Sequence, residues 1–277
     1  MTASTPATAG EPLSSPIRYL PTTEAYDRWA AVYDTDGNFL QAMDDSEMEN
    51  TLFPRFLDAI TSPKPWRRVD LGCGTGRNTA RLLKVPGAEE VVALDASPGM
   101  LDVARARLRA PASSTKRAEE QDQGWERRNK KLHFALFDLL STTQSQSRPE
   151  SALPDNASNA DGIISTLVLE HIPLPTFFSQ ASALLRPGGV LLLTNMHADM
   201  GKISQAGFVD VGTGEKVRPV SYSHAVRDVV AEARRWGLEV VGWNGNGNHN
   251  GIVERGVEEE MVGRLGARSR KWVGVTL

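Results

Sequence analysis

The chain has 277 residues, 40% of them hydrophobic, so it can bury a full core in one large domain, with or without a covering segment. It carries 31 Lys and Arg against 34 Asp and Glu, a balance that excludes the strong positive field expected of a protein that binds nucleic acid or an anionic membrane. The single cysteine excludes an intramolecular disulfide framework and a Cys-rich zinc site, and it predicts a reducing, cytoplasmic location.

The first 20 residues are rich in Pro, Ser and Thr, which is typical of a flexible tail. They have neither the basic start nor the apolar stretch of a signal peptide. No run in the chain approaches the roughly 18 apolar residues of a membrane span. We therefore predict no membrane insertion.

Short runs rich in Val, Leu and Ile alternate with helical patterns, which predicts an α/β fold whose parallel sheet is buried on both faces. The predicted strands are, in chain order, 67–72, 90–95, 131–138, 160–167 and 190–196. Helices are predicted after the first, second and fourth strands, in RNTARLLK, SPGMLDVARARLR and PLPTFFSQASALLRPGG. Two later candidate strands, 238–245 and 271–277, bring the expected sheet to about seven strands.

Three further segments interrupt this alternation. Residues 111–131 and 141–160 are polar, and we predict that they are surface insertions. Residues 204–224 contain extended runs around the turn GTGE, which favours a β-hairpin before the helical pattern AVRDVVAEARRWG; an ordinary surface loop is the alternative. The predicted hairpin would follow the fifth strand.

A glycine-rich loop follows the first predicted strand in VDLGCGTGRNT, with glycines at Gly72, Gly74 and Gly76. A phosphate-binding loop of the nucleotide hydrolases needs Lys and then Ser or Thr after the last glycine, whereas Arg77 and Asn78 stand there. A dinucleotide-binding fold needs the wider spacing G-x-G-x-x-G. The tighter spacing directs backbone N–H groups at the start of a helix, where they favour an anion such as a carboxylate.

An aspartate, Asp95, ends the second predicted strand 19 residues after Gly76. A carboxylate at this place can accept hydrogen bonds from a ribose diol. A nucleoside that carries a carboxylate tail would therefore satisfy both the glycine loop and Asp95.

Together with VVALDASPGML, FALFDLL, ADGIISTLVLEHI and LLRPGGVLLLTN, in this order, the glycine motif resembles the class I S-adenosylmethionine-dependent methyltransferases. The resemblance is greatest to the small-molecule branch of ubiquinone and menaquinone methyltransferases, the type 11/25 methyltransferases, and it covers about residues 26–195. It implies a Rossmann-like fold, S-adenosyl-L-methionine as cofactor and S-adenosyl-L-homocysteine as product.

The resemblance also implies a set of cofactor-binding residues. Asp70 would orient the glycine loop and the cofactor's ammonium group, and Asp95 would accept from the ribose hydroxyls. Ala96 and Met100 would flank the adenine, and Asp138 would accept from its amino group. The other residues predicted to contact the cofactor are Gly72, Cys73, Gly74, Gly76, Asn78, Leu139 and Thr166.

Residues 21–60 are predicted to form a helical lid over a cofactor-binding domain at 61–277, in which residues 198–224 would be a substrate-covering insertion. Within the lid, YDRWAAVYDTDGNF resembles the amino-terminal helix with which the family covers its cofactor. Tyr26, Trp29 and Tyr33 lie at i, i+3 and i+7, on one helical face. They would contact the cofactor, with Tyr33 the preferred contact, or attach the helix to the core.

Methyl transfer mainly requires alignment of donor and acceptor, and a base is needed only when the acceptor arrives protonated. His171 and His197 follow the fourth and fifth strands at the edge where open α/β sheets bind ligands, so they are the candidate catalytic bases. The alternative for His171 is an architectural role, which the family often gives to such a histidine. Cys73 is interpreted as structural rather than nucleophilic. The spacing of the five histidines predicts no metal site.

Four acidic residues near the lid, Asp34, Asp36, Asp44 and Asp45, would hold a cationic amine acceptor or form a solvated helix end. Burial of one of them beside the transferred methyl group would favour the first interpretation.

These features predict a methyltransferase that modifies a small molecule at oxygen or nitrogen. Similarity of YDRWAAVYDTDGNFLQ and RKWVGV to fungal tailoring enzymes adds an expected role in secondary metabolism. We expect a monomer or weak homodimer without a nucleic-acid partner, while the acceptor and its reacting atom stay open. The alternatives are a catalytically inactive methyltransferase-like binding subunit and an NAD-dependent oxidoreductase.

Overall fold

The computed structural model describes residues 17–86, 88–109, 132–141, 154–242 and 251–261. The strands within these ranges are β1 (Ile17–Leu20), β2 (Trp66–Leu71), β3 (Ala88–Asp95), β4 (Leu132–Leu136), β5 (Ala160–Thr166), β6 (Leu185–Thr194), β7 (Phe208–Val209) and β8 (Lys216–Pro219). The α-helices there are α1 (Thr22–Trp29), α2 (Phe39–Glu47), α3 (Phe53–Ala59), α4 (Arg77–Lys84), α5 (Pro98–Arg109), α6 (Leu174–Leu184), α7 (Ala198–Ile203) and α8 (Val226–Arg235).

The centre of the fold is a parallel sheet with the strand order β4-β3-β2-β5-β6. The chain leaves β2 towards β3 and β4 and then crosses back to β5 and β6. The strand order therefore reverses between β2 and β5, and in open α/β sheets such a reversal opens a crevice at the carboxyl ends of the strands. The observed topology confirms the predicted Rossmann-like α/β fold.

Both faces of this sheet are covered by helices, as the nearly continuous apolar strands predict. Successive residues of β3 point to opposite faces, so Val92 packs in a buried cluster with Phe177 of α6, while Val91 packs in a second cluster with Leu101 of α5. All four side chains are at most 1% exposed. The core therefore lies in two layers, and the carboxyl edge of the sheet is left for a site.

A second, small sheet joins the start of the described chain to the segment that follows β6. Strands β7 and β8 pair antiparallel, which confirms the hairpin expected after the fifth strand, and β1 pairs parallel with β8. Trp29 of α1 stacks on Phe208 of β7 with ring centroids 5.1 Å apart. We call β1, α1 and the β7–β8 hairpin together the cap.

The lid helix is shorter than the family resemblance implies. Helix α1 ends at Trp29, and a turn follows through the segment DTDGN, where Gly37 has a φ of 75°. Asn38 then caps α2, because its side chain accepts hydrogen bonds from the backbone N–H groups of Leu40 and Gln41. Polar turn residues thus interrupt the aromatic helical pattern.

The two late strands of the sequence prediction are not seen among the described residues. Residues 238–242 form no strand, and Val240 and Val241 are 36% and 63% exposed. Residues 243–245 and 271–277 lie outside the described ranges, as do 1–16, 111–131 and most of 141–160. No helix in the described ranges is long and apolar enough to cross a membrane.

Candidate active site

A cleft opens at the carboxyl edge of the central sheet, under the cap. It brings together His171 and most of the residues predicted to bind the cofactor, namely Tyr26, Tyr33, Gly72, Cys73, Gly74, Asn78, Asp95, Ala96, Met100, Asp138, Leu139 and Thr166. The predicted residues Trp29, Asp70, Gly76 and His197 are not among those that line it. Phe137, Leu140, Val168 and Ile172 add apolar walls that the sequence analysis did not single out.

The glycine loop presents its backbone to the cleft. Gly72, Gly74 and Gly76 have φ angles of 75°, 52° and 81°, a left-handed conformation that favours glycine. A Cβ on Gly72 would lie 2.3 Å from Cγ2 of Val168, whereas a Cβ on Gly74 would meet no atom within 4 Å. The space beside Gly74 is therefore open for a ligand that approaches the backbone.

Asp95 links this loop to the end of β3. Its carboxylate accepts hydrogen bonds from the backbone N–H groups of Gly74 at 2.7 Å and Ser97 at 2.9 Å. Burial raises the pKa of Asp95 to about 6. Because a carboxylate has about four acceptor positions, Asp95 retains capacity for the two hydroxyls of a ribose.

Asp70 lies behind the loop rather than in the cleft. It is 2% exposed, and its Oδ2 accepts a hydrogen bond of 2.6 Å from the hydroxyl of Thr79 in α4. Burial raises the pKa of Asp70 to about 6. The contact ties the end of β2 to α4, which fits the predicted orienting role, while contact with the cofactor's ammonium stays a prediction.

Two further polar positions close the two sides of the cleft. The Asn78 side-chain amide donates to the Thr166 hydroxyl at 2.9 Å and thereby joins α4 to the end of β5. Beyond β4, Oδ1 of Asp138 accepts from the backbone N–H of Leu140 at 2.9 Å. These contacts hold in place the residues predicted to bind opposite parts of the cofactor.

The three lid aromatics form one cluster but face different surroundings. Their ring centroids lie 5.1–6.0 Å apart. Tyr26 and Tyr33 line the cleft, whereas Trp29 is 2% exposed, stacks on Phe208 and donates through Nε1 to Asp36 at 2.7 Å. Trp29 therefore packs within the cap, and the two tyrosines are the aromatic roof of the cleft.

Asp27, which the sequence analysis did not single out, attaches the cap to the start of α5, beside the residues predicted to bind the cofactor. Oδ1 of Asp27 in α1 accepts hydrogen bonds from the Ser97 hydroxyl and from the backbone N–H of Gly99. Ser97 also donates its backbone N–H to Asp95. The cap is thereby joined to the start of α5 next to the proposed ribose contact.

His171 sits in the short turn after β5 and is 4% exposed. Its Nε2 lies 2.8 Å from the hydroxyl of Tyr26, and its Nδ1 lies 2.8 Å from the carbonyl oxygen of Val220. Burial lowers the pKa of His171 to about 4. The ring is therefore neutral near pH 7 and is oriented by a partner on each nitrogen.

His197, the second candidate base, lies away from this arrangement. It caps α7, because its Nδ1 accepts from the backbone N–H of Asp199 at 3.2 Å, and its Nε2 lies 3.4 Å from a carboxylate oxygen of Glu254. The chain turns into α7 directly after β6, which directs the imidazole to the helix end. The geometry therefore gives the predicted catalytic role of His197 no support.

The four acidic residues near the lid have local partners. Asp44 is 7% exposed and accepts from the Thr194 hydroxyl at 2.6 Å, while Asp45 lies 2.6 Å from Arg77. Asp34 accepts from the Thr75 hydroxyl at 2.9 Å, and Asp36 accepts from Trp29. None of the four is among the described residues that line the cleft, so they fix α2 and the turn before it.

Comparison with known proteins shows the family to which the chain belongs. The family model for a methyltransferase domain matches residues 44–250. An uncharacterized methyltransferase of Emericella nidulans is 49% identical over 276 residues, which cover 94% of this chain and 90% of that protein.

Two more distant proteins are also similar to the chain. A trans-aconitate 2-methyltransferase of Methylobacterium radiotolerans is 29% identical over 67% of this chain and 69% of its own length. The solved DhpI-SAM-HEP complex has a TM-score of 0.49 at 19% identity and covers 77% of this chain and 86% of that one. The family match extends over more than half of the chain, and the Emericella relative covers nearly all of it. The chain therefore belongs to the methyltransferase-domain family and is a class I, S-adenosylmethionine-dependent methyltransferase.

Proposed function

We propose that the protein transfers the methyl group of S-adenosylmethionine to the oxygen or nitrogen of a small molecule. The observation that carries this proposal is one cleft in which the open backbone at Gly74, the carboxylate of Asp95 and Asp138 lie side by side under Tyr26 and Tyr33. In the proposed complex these groups would face the methionine, ribose and adenine parts of the cofactor, in that order. The product would be S-adenosylhomocysteine.

The chain's own residues would align the cofactor in this cleft. The backbone at Gly72 and Gly74 would approach the methionine part, and Asp95 would accept hydrogen bonds from both ribose hydroxyls. Met100 and Leu139 would enclose the adenine, which excludes water and strengthens the hydrogen bonds there. The bound cofactor supplies an activated methyl group, so the protein mainly has to align the acceptor with it.

A small acceptor fits the cap. Helix α1 and the hairpin lie over the carboxyl edge of the sheet, and Tyr26 and Tyr33 line the roof of the cleft. Two related proteins bear the names trans-aconitate 2-methyltransferase and malonyl-[acyl-carrier protein] O-methyltransferase. A role in secondary metabolism and a cytoplasmic location stay part of the proposal.

The test is a calorimetric titration of the purified protein with S-adenosylmethionine and, separately, with NADH. Asp95→Ala should weaken S-adenosylmethionine binding by roughly 10²-fold or more, because it removes two hydrogen bonds to a charged acceptor. Asp102→Ala, at an exposed carboxylate on α5, is the matched control and should bind as the wild type does.

The comparison requires that both variants are folded, which circular dichroism establishes. Equal affinity of Asp95→Ala and wild type would refute the assigned ribose contact. Binding of NADH in place of S-adenosylmethionine would refute the assignment of this cleft to S-adenosylmethionine.

A further inference from the structure

Tyr26, in the roof of the cleft, contacts His171. The Tyr26 hydroxyl lies 2.8 Å from Nε2 of His171, and the two rings meet edge to face with centroids 5.2 Å apart. Both side chains line the cleft, and the Tyr26 hydroxyl makes no other hydrogen bond within the described residues. The Tyr26 oxygen is therefore available to a molecule bound beside it.

The direction of the hydrogen bond between them follows from the other nitrogen of the ring. Nδ1 of His171 lies 2.8 Å from the Val220 carbonyl oxygen, which can only accept, so Nδ1 carries the proton. In the neutral ring Nε2 then has only a lone pair, and the Tyr26 hydroxyl must donate to it. The proton of Tyr26 is committed to His171, so its oxygen offers only lone pairs to a ligand.

A buried carboxylate stands next to this pair. Glu170 is 3% exposed, its Oε1 lies 4.0 Å from Nε2 of His171, and its Oε2 has no hydrogen-bond partner among the described residues. Leu169, Glu170 and His171 form the short helical turn that follows β5. When Glu170 is ionised, a positive charge formed on the His171 ring would have a negative charge close by in a site shielded from water.

We propose that Tyr26 and His171 together accept a proton from the methyl acceptor, with Glu170 as a positioning residue that stabilises the imidazolium. This inference rests on the proposed function. The acceptor's O–H or N–H would donate its proton to the Tyr26 oxygen while Tyr26 passes its own proton to Nε2 of His171. The freed electron pair of the acceptor forms the new bond to the methyl carbon, and the electron pair of the broken carbon–sulfur bond returns to sulfur.

The same geometry selects the chemical class of the acceptor. A carboxylate acceptor has no proton to give and would bring its lone pairs against those of the Tyr26 oxygen. A hydroxyl, a phenol or an ammonium group would instead donate to Tyr26. The expected products are therefore methyl ethers or N-methyl compounds rather than methyl esters.

The first test needs no acceptor. Nitrogen-15 spectra of histidine-labelled protein near neutral pH should show His171 neutral with the proton on Nδ1, the signal being assigned by loss in His171→Gln. Tyr26→Phe should shift the Nε2 resonance, and Tyr19→Phe, at an exposed tyrosine of β1, should leave it unchanged. A proton on Nε2, or a charged ring in the resting protein, would overturn the proposal.

The second test follows transfer of labelled methyl groups from S-adenosylmethionine into a small-molecule extract of an Emericella nidulans culture. Label should enter products that survive alkali, as ethers and N-methyl compounds do. Tyr26→Phe should slow this transfer by roughly 10²- to 10⁴-fold, the usual contribution of acid–base catalysis, with the calorimetric affinity for S-adenosylmethionine retained. Glu170→Gln should lower kcat and leave KM unchanged, and Tyr19→Phe should react at the wild-type rate.

Each contrary result has a distinct meaning. Label that alkali releases, as from methyl esters, would overturn the acceptor class, and full activity of Tyr26→Phe would overturn the proton path. No transfer by a protein that binds S-adenosylmethionine would also overturn the inference and favour a non-catalytic binding subunit. Failure to bind S-adenosylmethionine would refute the proposed function itself.

Discussion

Replacement of Glu170 by Gln should stabilise the protein at alkaline pH and leave it unchanged at acid pH. Burial raises the pKa of this carboxyl from its ordinary value of 4.5 to about 7. Glutamine has nearly the same size and keeps an acceptor oxygen, but it carries no charge. The substitution therefore isolates the cost of ionising a carboxyl in this interior position.

The magnitude follows from the shift in pKa. At about 1.4 kcal/mol for each pKa unit, a change from 4.5 to about 7 corresponds to about 3 kcal/mol. Because the native protein holds this proton more tightly than the unfolded chain, the free energy of unfolding falls as the pH rises through this interval and is constant above it. The advantage of Glu170→Gln should thus grow from about zero near pH 4.5 to about 3 kcal/mol near pH 8.

Urea unfolding at both pH values measures this difference directly, provided that each transition is two-state. Glu239→Gln, at an exposed position after α8, is the control and should show no pH-dependent gain. An equal free-energy difference between Glu170→Gln and wild type at the two pH values would refute the assigned burial cost.

Three other predictions concern the packing of the cap, the space beside the glycine loop and the accessibility of the Cys73 thiol. Trp29→Ala should lower the free energy of unfolding by about 3–5 kcal/mol, since the indole is 2% exposed within the cap, and urea unfolding would measure it. Gly72→Ala should abolish S-adenosylmethionine binding in calorimetry, because a Cβ there would lie 2.3 Å from Val168. Gly214→Ala is the control: Gly214 has a φ of 72°, but a Cβ there would meet no atom within 4 Å, so this substitution strains only the backbone. Equal loss of S-adenosylmethionine binding in both variants would contradict the steric explanation. Burial raises the pKa of the Cys73 thiol well above its ordinary value, so iodoacetamide should label it slowly in native protein and fast in urea; rapid native labelling would show that the loop is open.

The part of the fold that the sequence predicts well is the part that local rules determine. The predicted helix RNTARLLK matches α4: Gly76 supplies the left-handed turn before the first helical residue, and Arg81 and Lys84 lie in the last turn, where basic residues are favourable. By contrast, β1 was not predicted, since its pairing with β8 joins residues about 200 positions apart. Residues 238–242 have a strand-like apolar pattern, but no described strand pairs with them.

Some residues of the candidate site could also be predicted from local sequence, and others could not. The glycine loop and Asp95 were predictable because a short motif fixes the backbone turn, and the end of the next predicted strand fixes the place of the carboxylate. Asp27 and Glu170 were not, because their roles arise from contacts and burial that only the folded chain creates. His197 lies after the predicted strand, as expected, but the start of α7 determines the direction of its side chain, and no sequence pattern shows that direction.

The pairing of β1 with β8 has a consequence for how the protein forms. Lys216 leaves the ribosome about 200 residues after its partner Ile17, when the five strands of the central sheet have already been synthesised. We expect the cap to be the last region to acquire structure and the first to open, with the backbone amides of Leu20 and Val217 exchanging with solvent before those of β2. Equal exchange rates in the two sheets would contradict this order. A cap of low local stability would open away from the central sheet and admit a ligand to the cleft while the sheet itself stays folded.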